Sequence, residues 1–179
     1  MMTAHVTSKA ADQVVVRPAE RADAAIILAF IQDLAAYEKV PEAVVNTVPM
    51  IEQCLFGDQP QAYGLICEYD GQPIGFAVYY LTYSTWLGRH GLHLEDLYVS
   101  EAFRGLGAGL AIMRYLAQMA VTKGYARFEW QVLDWNQPAI DFYDRIGGKP
   151  MNEWLTYRLA GDALEAFAQE AGGSGNTVL

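Results

Sequence analysis

Two neighbouring stretches carry residues whose types and spacing could do chemistry. The first is Leu94-Glu95-Asp96-Leu97-Tyr98-Val99, an apolar run that reads as a strand and holds two adjacent carboxylates. The second follows after a short link: Arg104-Gly105-Leu106-Gly107-Ala108-Gly109-Leu110, a glycine-rich turn opening a helix. Glycine lets a backbone approach a ligand closely. Amides at a helix N-terminus point outward, and the helix dipole favours anions there. The turn is therefore expected to hold a phosphate or pyrophosphate on its backbone, with Arg104 adding a fixed positive charge. A Walker loop would end in Gly-Lys-Ser/Thr, and none follows. A dinucleotide fingerprint would open an early strand–helix unit, with an acidic residue about 20 positions on. Here the turn is late, and that region reads Gly124-Tyr125-Ala126-Arg127. From this segment alone, glycines that merely permit tight strand–helix packing remain an open alternative.

Further along stands Trp135-Asn136-Gln137-Pro138-Ala139-Ile140-Asp141-Phe142-Tyr143, closed by Gly147-Gly148. Asn136 is a polar residue at a strand mouth, able to bond a ligand or the start of the next helix. Phe142 is expected to anchor that helix in a core, and Tyr143 to aim elsewhere. Taken alone, the pair reads as two core aromatics.

Together, Arg104, Gly107 and Gly109 on one side, and Asn136, Ala139, Phe142, Tyr143 and Gly147 on the other, resemble the two signatures of the Gcn5-related N-acetyltransferases (GNAT). Leu34-Ala35-Ala36-Tyr37-Glu38, Phe76-Ala77-Val78-Tyr79-Tyr80, Thr82-Tyr83, Trp86 with Gly88, and Leu94-Glu95-Asp96 narrow the resemblance to the spermidine/spermine (diamine) and thialysine branch. The likeness runs over residues 14–159.

The resemblance implies direct acetyl transfer from acetyl-CoA, as cosubstrate, to a primary amine. An alkyl ammonium has a pKa of about 10.4, so a base must take its proton. Glu95 is the candidate base, acting through a water, and Tyr143 the candidate acid. A phenol of pKa near ~10 is matched to a departing thiolate. The backbone of Leu97, Tyr98 and Val99 is expected to pair with pantetheine and polarise the acetyl carbonyl. Gly105, Leu106, Gly107, Ala108, Gly109 and Leu110 would cradle the pyrophosphate beside Arg104. Asn136, Pro138, Ala139 and Tyr143 would complete the cofactor wall. Tyr37, Glu38, Glu95, Trp86 and Glu153 are the substrate-binding candidates, with Trp86 packing on an alkyl chain or cation. One position departs from the branch: Ser84 stands where an Asp usually follows the Thr-Tyr pair. Losing that carboxylate makes a diamine or a lysine-like amino acid as plausible a substrate as a long polyamine. The alternatives are a protein lysine or N-terminal acetyltransferase and a non-catalytic CoA-binding sensor. The first wants an open peptide groove, and the second needs neither Glu95 nor Tyr143.

Composition sets the bounds. The chain has 179 residues, 53% hydrophobic and 18% charged, enough for a full core and incompatible with a disordered chain. Its net charge of -9 argues against nucleic acid and anionic membranes and favours a cationic partner. Cys54 and Cys67 cannot make a disulfide framework, and they lack metal-type spacing with His5, His90 and His93; the reaction that the resemblance implies requires no metal. Reduced thiols and no secretory or membrane segment point to the cytoplasm. A homodimer is expected from the resemblance alone. His90 and His93 flank the substrate strand and read as a surface and a strand residue. The two cysteines have no base beside them in sequence.

The elements that must position these residues follow from periodicity. Strands are expected at 14–16, 62–69, 74–83, 92–99, 127–132 and 154–159. Helices are expected from 20 until Pro41 breaks the pattern, at 47–56, from the glycine-rich turn 104–109 to about 123, and at 138–146 and 163–168. Asp70-Gly71 marks a hairpin, and Gly57 and Gly124 mark helix ends. The result is a mixed α/β fold: a mostly antiparallel central sheet flanked by helices, with a splayed strand pair that the resemblance assigns to acetyl-CoA. One domain is expected at 13–170, between a flexible leader, 1–12, and a flexible tail, 171–179.

Overall fold

The computed structural model describes residues 13–169; the expected leader and tail lie outside the described residues. The chain forms two compact units, one ending at Gln131 and one beginning at Val132.

The first unit is built on one five-stranded sheet. Its strands are β1 (Val14–Pro18), β2 (Tyr63–Tyr69), β3 (Gln72–Ser84), β4 (Arg89–Val99) and β5 (Phe128–Trp130), in that spatial order. Neighbours run antiparallel except β4 and β5, which are parallel. The β2–β3 turn is made by Asp70 and Gly71, both left-handed with φ of 54° and 75°. That is the backbone of the tight hairpin turn whose twist matches its strands. β3 is central because it is apolar on both faces: Ile74, Gly75, Phe76 and Ala77 are all buried.

Two helices, α1 (Ala24–Tyr37) and α2 (Val48–Phe56), bury Ile27, Phe30, Ile51 and Leu55 against Ile66 and Phe76 of the sheet. Phe30 stacks on Phe76 at 5.9 Å. Each such side chain removed from water contributes roughly 1.5–3 kcal/mol. Arg17 fixes the entry to α1, bonding Asp23 through two nitrogens at 2.7 and 2.9 Å and Glu68 at 2.8 Å. α2 begins at Thr47, whose hydroxyl accepts from the Met50 amide. Gly57 ends it in extended rather than left-handed geometry. The requirement there is space, since a Cβ would meet the Gln53 carbonyl oxygen at 2.5 Å. The third helix, α3 (Ala108–Lys123), lies on the opposite face, with Gly109 towards Leu97. Gly124 terminates it in the left-handed conformation (φ 70°).

β5 is half the length expected for 127–132. It pairs with β4 only over Leu92–Leu94, after which β4 runs on to Val99 with no strand partner on that edge among the described residues. The two strands therefore part, as expected for the splayed pair.

The second unit contains α4 (Gln137–Arg145) and α5 (Gly161–Gln169). The strand expected at 154–159 does not form. A strand requires a ladder partner for its backbone groups, none of the described strands pairs with it, and Tyr157 is 90% exposed. Among the described residues no helix is long and apolar enough to cross a membrane.

Candidate active site

The strand register around Glu95 is irregular in an informative way. Val78 lies opposite Asp96 and Tyr79 opposite Leu94, so Glu95 is an extra residue on β4, a β-bulge. A bulge bends its strand and re-aims side chains. Simple alternation, which would send Glu95 and Asp96 to opposite faces, does not carry through it. Burial raises the Asp96 carboxyl to about 6, and the negative charges of Glu95 and Glu38 add to the shift. Burial also raises Glu38, which follows the last residue of α1 and donates its amide to the Leu34 carbonyl. The structure thus brings Glu38 and Glu95 each within electrostatic reach of Asp96. Like charges that repel one another in a partly desolvated place attract a cation.

Tyr37, the last residue of α1, faces the glycine turn in an unexpected manner. The Arg104 guanidinium lies 4.9 Å from the Tyr37 ring centre and 5.9 Å from that of Tyr98, and its Nε donates to the Val99 carbonyl at 3.2 Å. The cation expected at the pyrophosphate is therefore stacked on two tyrosines beside the turn.

In the turn itself, Gly105 and Gly107 have φ of 84° and 87°. An L side chain rarely adopts that geometry, and around both positions there is open space. Among the described residues no side chain caps α3, and no acidic residue lies in its first turn. The amides of Ala108, Gly109 and Leu110 belong to the helix end whose N–H groups have no intrahelical partner. The arrangement fits a diphosphate held by backbone amides. Leu106 is half-buried and Ala108 buried, which fixes the turn to the body of the unit. On β4, Leu97, Tyr98 and Val99 pair with Ala77, Phe76 and Gly75, and among the described residues no strand pairs with their other edge.

Trp86 sits at the tip of the β3–β4 hairpin and is 90% exposed, so the structure does not pack it onto the acidic group. Ser84 has a structural explanation. It is buried, its hydroxyl accepts from the Leu87 amide at 3.3 Å, and its carbonyl accepts from the Gly88 amide at 2.8 Å, closing the loop that carries Trp86.

In the second unit, Asn136 is buried and caps α4, its side-chain oxygen accepting from the Ala139 amide at 3.4 Å. Pro138 occupies the first turn, where its missing N–H costs nothing. Phe142 and Tyr143 are half-buried, their ring centres 5.3 Å apart. Burial raises the Tyr143 phenol above its ordinary value of 10.0, which holds its proton in place. Glu153 is exposed.

The bulge at Glu95, the partial burial of Asp96 and the seat of Arg104 escape sequence reasoning. A one-residue register shift leaves no mark in an apolar–polar pattern, and stacking between residues 37 and 104 is a tertiary fact.

The profile of the acetyltransferase (GNAT) family matches residues 29–148. The chain belongs to this family. The acetyltransferase is 36% identical over 166 residues to a thialysine N-epsilon-acetyltransferase of Sus scrofa, covering 87% of this chain and 97% of that protein. It is 36% identical over 147 residues to the thialysine N-epsilon-acetyltransferase of Caenorhabditis elegans, covering 80% and 90%. Among solved structures, an integron cassette protein from the mobile metagenome of V. cholerae superposes with a TM-score of 0.75 at 24% identity, covering 88% of this chain and 98% of that one. That last likeness shows the fold. The protein is an N-acetyltransferase, and enzymes of its family use acetyl-CoA as cosubstrate.

Proposed function

We propose that this acetyltransferase moves the acetyl group of acetyl-CoA to the primary amine of a small cationic substrate, a diamine or polyamine or a lysine-like amino acid such as thialysine. The observation that carries the reading is the bulge at Glu95, next to Asp96, whose carboxyl feels the charges of both Glu95 and Glu38, on a strand that leads into a glycine-built helix start. The likeness to thialysine acetyltransferases over nearly their whole length supports the choice of amine.

Acetyl-CoA supplies the acetyl group as a thioester. The residues of this chain divide the remaining work. Backbone amides of 105–110 hold the diphosphate, and the open edge of Leu97, Tyr98 and Val99 holds the pantetheine arm, with Asn136, Pro138 and Ala139 as further wall. Glu38, Glu95 and Asp96 draw in the ammonium, with Tyr37, Trp86 and Glu153 as further substrate contacts. Glu95 takes a proton from the ammonium through a water. Tyr143, a neutral phenol that burial pushes further up from its ordinary value, gives its proton to the departing thiolate.

The same reading joins both units in one acetyltransferase domain, supported by a family match that runs through Gln131 and Val132. It takes the protein as a cytoplasmic homodimer: free Cys54 and Cys67 suit a reducing compartment, and the dimer rests on the resemblance. The test is an acetyl-transfer screen over diamines, polyamines, lysine and thialysine. Acetylation of small cationic amines is expected. Preference for neutral or anionic amines, or for peptides, would refute it.

A further inference from the structure

At the start of β5 is an ion pair that the reaction above does not use. Arg127 Nε lies 2.7 Å from Glu129 Oε2, and the two side chains are 41% and 40% exposed. Their backbone is fixed: the Leu92 amide donates to the Arg127 carbonyl at 2.9 Å, and Glu129 lies opposite His93. β4 makes room for the pair. A Cβ at Gly91 would lie 2.9 Å from Arg127 Cγ and 2.5 Å from Thr82 Oγ1, so any larger residue would displace the arginine stem. The Thr82 hydroxyl beneath it is buried without a hydrogen-bond partner among the described residues.

The pair continues into the acidic site. Tyr80 lies opposite His93 and their rings stack at 4.8 Å. Burial raises the Tyr80 phenol, and the charges of Glu95 and Glu129 raise it further, so both carboxylates flank this aromatic platform. Across the sheet, Glu129 and Tyr80 lie on either side of His93, on the two strands that flank β4. Glu129 lies one strand spacing, about 4.8 Å, from His93, and Glu95 follows His93 by two residues at the bulge, so the two backbones lie within about 8 Å of each other. An extended lysine-like amino acid separates its α- and ω-nitrogens by ~7 Å, from ordinary bond lengths. A lone ammonium gains little from Glu129, whose charge Arg127 already balances and whose neighbour repels a cation. An ammonium with a carboxylate beside it is complementary to both: the carboxylate accepts from the guanidinium fork and the ammonium donates to Glu129.

We infer that Arg127 and Glu129 are the subsite for the α-amino and α-carboxylate groups of an amino acid whose ω-amine reaches Glu95. The inference rests on the amine-acetyltransferase reading and deepens it: the pair selects lysine-like amino acids over diamines of the same length. The experiment measures kcat and KM for L-thialysine, L-lysine and 1,5-diaminopentane, which is lysine without its carboxylate. The proteins are the full chain and its Arg127→Gln, Arg127→Lys and Glu129→Gln variants. Arg127→Gln should raise KM for both amino acids about tenfold, the loss of one charge-assisted contact. It should leave kcat nearly unchanged and not raise KM for the diamine. Arg127→Lys should lie between, and it serves as the reading if Arg127→Gln does not fold. Glu129→Gln should also weaken the amino acids. An equal effect of Arg127→Gln on amino acids and diamine, or none on either, overturns the subsite and leaves the acetyltransferase reading standing. A wild-type protein that acetylates none of the three overturns the reading and the subsite with it.

Discussion

The Arg104 guanidinium rests 4.9 Å from the centre of the Tyr37 ring, joining the turn before α3 to the end of α1, where Glu38 follows. A cation over an exposed aromatic face contributes about 0.5–1 kcal/mol. Through this contact one residue can influence both the cofactor turn and the acidic wall. Arg104→Gln is expected to raise KM for the amine as well as for acetyl-CoA, each roughly two- to fivefold. Steady-state kinetics with either substrate varied would check it. An effect confined to acetyl-CoA would show that Tyr37 does not depend on the arginine.

Asp96 makes stability pH-dependent in a defined direction. Its carboxyl is raised from 3.8 to about 6, first by burial and then by Glu95 and Glu38. Below about pH 4 the group is protonated in both folded and unfolded chains and has no effect. As pH rises towards 6 the unfolded chain releases this proton first, so the folded state loses stability relative to it. Above about 6 the penalty is constant, on the order of 2–3 kcal/mol. Asp96→Asn should therefore raise Tm at pH 7.5 and leave it nearly unchanged at pH 4. Thermal melts across that range decide the matter; a gain that is the same at every pH contradicts the burial of this charge.

Tyr143→Phe keeps the ring and its packing on Phe142 and removes the only proton the side chain could give. Stability and acetyl-CoA binding should change little. Loss of a positioned general acid costs about 10²- to 10⁴-fold, and the loss should fall on kcat. A variant with kcat within about threefold of wild type, where chemistry limits the rate, would reduce Tyr143 to a packing residue.

The sheet and its helices were legible where local chemistry decides them. Asp70-Gly71 can make only a tight turn, the unbroken apolar run of β3 belongs at a sheet centre, and Gly124 ends α3 as its position implies. The glycine turn was legible because positive φ selects glycine at 105 and 107. What escaped depends on partners distant in sequence. Residues 154–159 have strand-forming side chains but no described strand beside them, and propensity without a ladder makes no strand. The 127–132 segment alternates cleanly, yet its pairing stops after Trp130, where β4 bulges. Asn136 could have faced a ligand or a helix start by sequence; the structure gives its oxygen to Ala139.

The most direct measurement is the fate of both halves of acetyl-CoA incubated with L-thialysine or 1,5-diaminopentane. Free CoA thiol is followed by a thiol reagent, and the amine product by NMR. The account predicts one N-acetylated primary amine for each thiol released, at a rate that falls with added salt as attraction to Glu38, Glu95 and Asp96 is screened. Thiol release without an acetylated amine, or no turnover with any small cationic amine, would contradict it.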